Sequence, residues 1–190
     1  MITGRGRFDD GAVRDLAVAA TASPAPIGTR IIAVDGPSGS GKSTLAGQLL
    51  DELPGARLIE IDDFVSWTDF GGWWPRFAEQ VLEPLRQGRA ARYQVRDWDG
   101  DEFGDSLAGW KTAEPGGTIV IEGVTSSQQR FRPYLAFAVW VEAAAPTRLE
   151  RGLARDGERH RPLWERWMAQ EESFFAADDP RARADRCYVT

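Results

Sequence analysis

The chain has 190 residues, the length of one ordinary domain and enough to bury a core. It carries 23 Lys and Arg against 29 Asp and Glu, a formal net charge of -6, with 42% hydrophobic and 27% charged residues. This is the mix of a soluble globular protein, and its acidic balance argues against general nucleic-acid binding, which needs a basic surface to release counterions. One cysteine (Cys187) and one histidine (His160) exclude a disulfide framework and a Cys-based zinc site and leave little room for a Ser-His-Asp triad. No apolar run approaches the ~18 residues needed to span a bilayer.

In chain order, a polar Gly/Arg opening leads into a helix expected over about Asp9 to Ala20, with Val13, Leu16, Ala17 and Ala20 on one face. Asp9, Asp10 and Asp15 stand where a secretory leader wants positive charge, so the segment reads as a helix of a cytoplasmic protein. After the Pro24-Ala25-Pro26 turn, Arg30 to Val34 is a β-branched run that predicts a buried strand. A glycine-rich loop follows, then a helix as far as Pro54 and a second strand over Ala56 to Ile61. Phe64 to Trp74 reads as a loop, Phe77 to Leu85 as a helix stopping at Gly88, and 89–117 as irregular. Strands are expected at Thr118 to Ile121, Ala136 to Val141 and Cys187 to Val189, with helices from Pro146 and over about Pro162 to Ala177. Strands alternating with helices predict an α/β fold of three layers, a parallel sheet covered by helices on both faces. Residues 1–28 are expected as an N-terminal helix and linker and 29–190 as one phosphate-loop domain, with Cys187 buried and His160 at the surface.

The strongest motif is Gly36-Pro37-Ser38-Gly39-Ser40-Gly41-Lys42-Ser43, which satisfies G-x-x-x-x-G-K-[ST] after a strand and before a helix. Glycines let the backbone turn its N–H groups onto a phosphate, and the helix starting near Lys42 adds its positive end. Lys42 is expected to reach the β- and γ-phosphates, and the Ser43 hydroxyl to ligate Mg²⁺. The chain has no asparagine, so it cannot carry the Asn-Lys-x-Asp motif by which GTPases read guanine. ATP is therefore the expected nucleotide.

Ligands of open parallel sheets bind beyond the carboxyl ends of the strands, and two carboxylate positions fall there: Asp62 with Asp63, and Glu122. Either can accept a proton from an attacking hydroxyl or hold Mg²⁺, and the residues alone do not separate Asp62 from Asp63. Arg148, Arg151, Arg155, Arg159 and Arg161 crowd fourteen residues. The first three share a helical face that could neutralise a triphosphate as a lid, expected over about 148–161. The acceptor is expected between the second strand and residue 117, where Trp67, Trp73, Trp74, Trp98 and Trp110 sit.

The blocks Asp35 to Thr44, Ile61-Asp62-Asp63-Phe64, Ile121-Glu122-Gly123 and Thr147 to Asp156 resemble the uridine kinase family, a branch of the P-loop kinases that includes nicotinamide riboside kinases. The resemblance implies a kinase that uses ATP and Mg²⁺ to phosphorylate a small-molecule hydroxyl, without nucleic-acid or membrane partners. It implies ATP along Gly36, Ser38, Gly39, Ser40, Gly41, Lys42, Ser43 and Thr44, Asp62 as the base, Mg²⁺ near Ser43 and Glu122, and Arg155 as the catalytic lid arginine supported by Arg151 and Arg159. It also implies an acceptor wall at Asp63, Asp97, Trp98 and Asp99, within about 64–117. Two departures bear on the substrate: Arg151-Gly152 stands where uridine-phosphorylating members have an Arg-Arg pair, and 69–75 lacks their Asp-His-Pro box. Both fall on nucleoside recognition and neither on phosphoryl transfer. Beside this reading stand a kinase for a non-nucleoside acceptor, such as a vitamin precursor or an antibiotic, and a nucleotide-binding regulator with slow turnover.

Overall fold

The computed structural model describes residues 7–190; residues 1–6, the start of the polar opening, lie outside it. In chain order the elements are α1 (Asp10–Ala22), β1 (Arg30–Asp35), α2 (Lys42–Glu52), β2 (Arg57–Glu60), α3 (Trp74–Phe77), α4 (Glu83–Arg86), β3 (Ala91–Arg96), β4 (Leu107–Ala113), β5 (Thr118–Glu122), β6 (Phe137–Glu142), α5 (Ala145–Asp156), α6 (Arg161–Asp178), α7 (Pro180–Arg183) and β7 (Arg186–Val189). Five of the strands form one parallel sheet in the order β2-β5-β1-β6-β7. Successive side chains of a strand face opposite ways, so central β1 feeds two cores. Ile31 and Ala33 join Ile59, Ile119, Ile121, Phe77 and Val81 on one face. Ile32 and Val34 join Val120, Val139, Leu45 and Leu49 on the other. Helices thus cover both faces, as the strand–helix alternation predicts.

The N-terminal helix is part of this packing. Asp9 caps α1 by accepting the Ala12 N–H at 2.9 Å, and Val13, Leu16, Ala17 and Ala20 bury in the core formed with α2. Each larger side chain so buried contributes roughly 1.5–3 kcal/mol. α3 and α4 are the ends of one helical run over 74–86, joined by a π-wound turn at Ala78–Leu82. Pro84 follows that turn, and its missing N–H cannot continue an α-helical ladder.

Two stretches differ from expectation. The second strand ends at Glu60, and Ile61–Asp63 form a 3-10 turn closed by Phe64 N–H donating to Ile61 O at 2.8 Å. Residues 89–117, expected as irregular, contain an antiparallel hairpin of β3 and β4 outside the main sheet. Its alternation is real but short: Ala91 and Tyr93 face the core while Arg92 lies outside against the Trp110 ring. Its tip, 97–106, is wound around the buried Arg96 guanidinium, which donates to the carbonyls of Asp97, Asp101, Gly104 and Ser106. Cys187, expected to be buried, is exposed, because β7 is the edge strand of the sheet. Among the described residues no helix is long and apolar enough to cross a membrane.

Candidate active site

The loop between β1 and α2 turns on three glycines with positive φ: Gly36 (141°), Gly39 (76°) and Gly41 (99°). Close approach reinforces the requirement at two of them. A Cβ at Gly36 would collide with the Val141 carbonyl, and one at Gly39 with the backbone of Arg148. Gly41 is the N-cap of α2, so Lys42 and Ser43 open that helix with their N–H groups free of intrahelical partners. Lys42 is buried and donates to the Pro37 carbonyl at 3.1 Å. Ser43 Oγ donates to Glu122 Oε2 at 3.2 Å from the end of β5. Beside it, Gly123 (φ 146°) lets the chain pass Ile61, which a Cβ would strike.

Glu122 is 7% exposed. Burial pushes its pKa up to about 7, helped by the negative charge of Asp62 and opposed by Lys42. A buried carboxylate and a hydroxyl beside a phosphate loop form an incomplete oxygen donor set. Among the described residues no group of three or more His, Cys, Asp or Glu could hold a metal ion. The Ser43 hydroxyl and the Glu122 carboxylate are hard oxygen donors of the kind Mg²⁺ takes, in small number, with water and phosphate completing its shell.

The 3-10 turn separates the two aspartates. The Asp63 carboxylate is held by Lys111 Nζ at 2.9 Å to each oxygen. The Asp62 carboxylate has no hydrogen-bond partner among the described residues; it opens into the cleft while Trp98 Nε1 donates to its backbone carbonyl at 2.8 Å. Crowding by surrounding protein raises the Asp62 pKa, and the nearby Lys42 and Arg155 charges oppose that rise.

Two cavities meet at this residue. The first, about 270 Å³, is bounded by Ser38, Gly39, Gly41 to Thr44, Glu122, Arg151 and Arg155. The second, about 620 Å³, opens between Trp67, Trp98, Asp99 and Glu102. Asp62, Trp67, Trp98 and Arg155 line both. From α5, Arg151 Nη1 donates to Gly39 O at 3.1 Å, and Arg155 pairs with Asp156 at 2.7 Å. Arg159 pairs with Glu102 at 3.3 Å at the rim of the second cavity.

Other candidates are placed elsewhere. Asp97 lines neither cavity; its Oδ1 accepts the Gly100 N–H at 2.8 Å and forms a turn. The Ser40 side chain is buried behind the loop. Trp73 is core, Trp74 lies under Arg130, and Trp110 is on the outer face of the hairpin. His160, expected at the surface, is buried: its ring stacks between Trp67 and Phe103, and its Nε2 lies 2.7 Å from Glu102 Oε1.

Three residues of α6 went unread in the sequence, where they are ordinary members of an amphipathic helix: Trp164 and Trp167, which wall the first cavity, and Glu171 behind the loop. Trp164 also explains Gly152. A Cβ there would fall on its ring, so no second arginine fits beside Arg151. Helix propensity alone favours Gly152→Ala by about 1 kcal/mol, whereas overpacking costs about 1–3 kcal/mol. The substitution is expected to lower stability by about 1 kcal/mol net in urea unfolding, and a stabilised variant would refute the contact.

Comparison with known proteins follows this geometry. A family model described as an AAA domain matches residues 32–173. Among solved structures, a possible uridine kinase from Bacillus stearothermophilus superposes with a TM-score of 0.68 at 19% identity, covering 94% of this chain and 97% of that one. A candidate fructose transport system kinase from Silicibacter sp. TM1040 gives 0.68 at 20% identity, over 92% and 98%. Likeness at these identities establishes the fold. A curated protein, inorganic pyrophosphatase TTM2 of Arabidopsis thaliana, is 26% identical over 142 residues, 70% of this chain. The chain spans about a fifth of that relative's length.

Proposed function

The chain belongs to the AAA domain family, and from that premise we propose that it is an ATP- and Mg²⁺-dependent kinase, uridine kinase-like in its chemistry, that phosphorylates a hydroxyl of a small molecule. One observation carries the reading: the Asp62 carboxylate, without a hydrogen-bond partner among the described residues, lies where a phosphate-loop cavity opens into a second, acceptor-sized one. ATP lies along the loop, with its phosphates on the N–H groups that open α2. Asp62 orients the acceptor hydroxyl and takes its proton as the oxygen attacks. Lys42 and Arg155 stabilise the charge that spreads over the transferring group. Ser43 and Glu122 would hold Mg²⁺, which supplies further charge neutralisation at the phosphates. Trp98 fixes the Asp62 backbone, and Arg151 braces the loop at Gly39.

The second cavity also constrains the acceptor. Its wall carries Glu60, Asp62, Asp63, Asp99, Glu102 and Asp156 against Arg155 and Arg159. Lys111, Arg159 and Arg155 occupy Asp63, Glu102 and Asp156, while Glu60, Asp62 and Asp99 keep unpartnered carboxylates among the described residues. Such a wall repels a phosphorylated or carboxylated acceptor and accepts hydrogen bonds from hydroxyl or ammonium groups. Measured as ADP release, neutral nucleosides, sugars and amino alcohols are therefore expected to include the activating compounds, and their anionic analogues to be inactive. If no acceptor raises ADP production above the level with water alone while ATP binds, the kinase reading fails. The name of the curated relative favours a second reading, with water as acceptor and pyrophosphate as substrate; phosphate release from pyrophosphate without an acceptor would support it.

A further inference from the structure

Glu171 lies on α6, 133 residues along the chain from the loop it touches, and is 1% exposed. Its Oε1 accepts the Ser38 N–H at 2.7 Å and the Trp167 Nε1–H at 2.9 Å. Its Oε2 accepts Arg148 Nη1 from α5 at 2.9 Å, and that pair is itself largely buried. Arg148 also reaches the Ser38 carbonyl at 3.3 Å, and Trp167 Nε1 the Ser38 hydroxyl at 3.0 Å. Every polar group of Ser38 is thus engaged by α5 or α6.

The Ser38 N–H belongs to the same peptide unit as the Pro37 carbonyl. In a trans peptide these two groups point in opposite directions. There is no cis bond among the described residues, so a carboxylate drawing the Ser38 N–H to one side aims the Pro37 oxygen to the other. On that other side the Pro37 oxygen accepts Lys42 Nζ at 3.1 Å. An ammonium has three donors and no acceptor. One donor on Pro37 fixes the head of Lys42 and leaves two for phosphate oxygens.

We propose that Glu171 is a positioning residue that acts through the Pro37–Ser38 peptide to set Lys42 for the β- and γ-phosphates, and that Arg148 holds Glu171 in that role. This rests on the nucleotide site proposed above and adds a residue that touches neither nucleotide nor acceptor. A carboxylate is needed because its bonds to N–H and guanidinium donors are charge-assisted, about twice as strong as neutral ones. Without it the peptide can rotate, and Lys42 must be ordered by the nucleotide at a cost in affinity.

The test is the binding of Mg-ATP and of AMP to the full chain, read by the fluorescence of Trp164 and Trp167 beside the cavity, with thermal unfolding in parallel. Glu171→Ala is expected to weaken ATP about tenfold and AMP less than about twofold, since AMP has no β- or γ-phosphate for Lys42. Glu171→Gln keeps an oxygen for Ser38 but loses the charge, and is expected to weaken ATP about threefold. That variant carries the test if Glu171→Ala does not fold. A merely structural role would lower the unfolding temperature and leave the ATP-to-AMP ratio unchanged; that result overturns the proposal. Wild-type protein that binds neither nucleotide overturns the kinase reading and this inference together, whereas wild-type binding with an unmoved ratio in the variants overturns this inference alone.

Discussion

Asp62→Asn is expected to reduce phosphoryl transfer by about 10²–10⁴-fold, the range for losing a general base, while ATP affinity stays within about threefold. The substitution preserves shape and removes the negative charge, and with it the ability to take a proton. No hydrogen bond is lost with that carboxylate, since it has no hydrogen-bond partner among the described residues, and Trp98 holds the backbone carbonyl, which asparagine retains. Asp63→Asn is the control: it breaks the pair with Lys111 and should raise the acceptor KM more than it lowers kcat. The measurement is initial-rate ADP release with an activating acceptor, beside a binding titration with ATP. Retention of more than a third of kcat in Asp62→Asn would remove this residue from the chemistry. A nucleotide-binding regulator would behave differently, keeping its partner binding when Asp62 is changed.

The second large effect is on folding. Asp35 ends β1 with no exposed surface, and its two oxygens accept from Gly36 N at 2.6 Å, Thr125 N at 2.8 Å, Ser127 N at 2.8 Å and Ser127 Oγ at 2.7 Å. Burial pushes the pKa of this carboxyl up, and the Ser127 and Gly36 donors pull against that rise. Asn offers a single oxygen and turns an NH₂ group toward donors that need acceptors. Asp35→Asn is therefore expected to cost about 2–4 kcal/mol in urea unfolding, the scale of a buried charged acceptor lost with its partners left in place. Part of that loss should appear at Thr125, a non-glycine residue at φ 65° that the network holds in place. A loss below about 0.5 kcal/mol, the level of an ordinary surface change, would mean the network can be rebuilt around an amide.

What the sequence discloses here is what acts locally. The phosphate loop is legible because each glycine answers a backbone demand at its own position, and the parallel sheet because its strands are short β-branched runs between helical periods. Asp62 and Asp63 look alike in sequence because the difference between them is Lys111, 48 residues away. The hairpin is hard to read because its inward residues, Ala91, Tyr93, Val95 and Ala113, are few and mostly small, while its tip is organised by an arginine that propensity would put outside. His160 is obscured for a similar reason: a lone histidine among arginines reads as solvated, yet two aromatic rings and Glu102 enclose it. Glu171 was invisible because nothing near it in the chain says that a loop 133 residues earlier will need an acceptor.

The hairpin of β3 and β4 stands outside the main sheet. It meets the site through a few side-chain bonds, chiefly Trp98 to Asp62 and Lys111 to Asp63. Of the acceptor wall proposed above, only Trp98, Asp99 and Glu102 belong to this hairpin, all at its tip. On the proposed reading, substitutions at those three positions reshape one part of the wall while the loop, α2 and Glu122 remain intact. If the chain is the kinase proposed above, that tip can alter the choice of acceptor without touching the residues that hold the nucleotide.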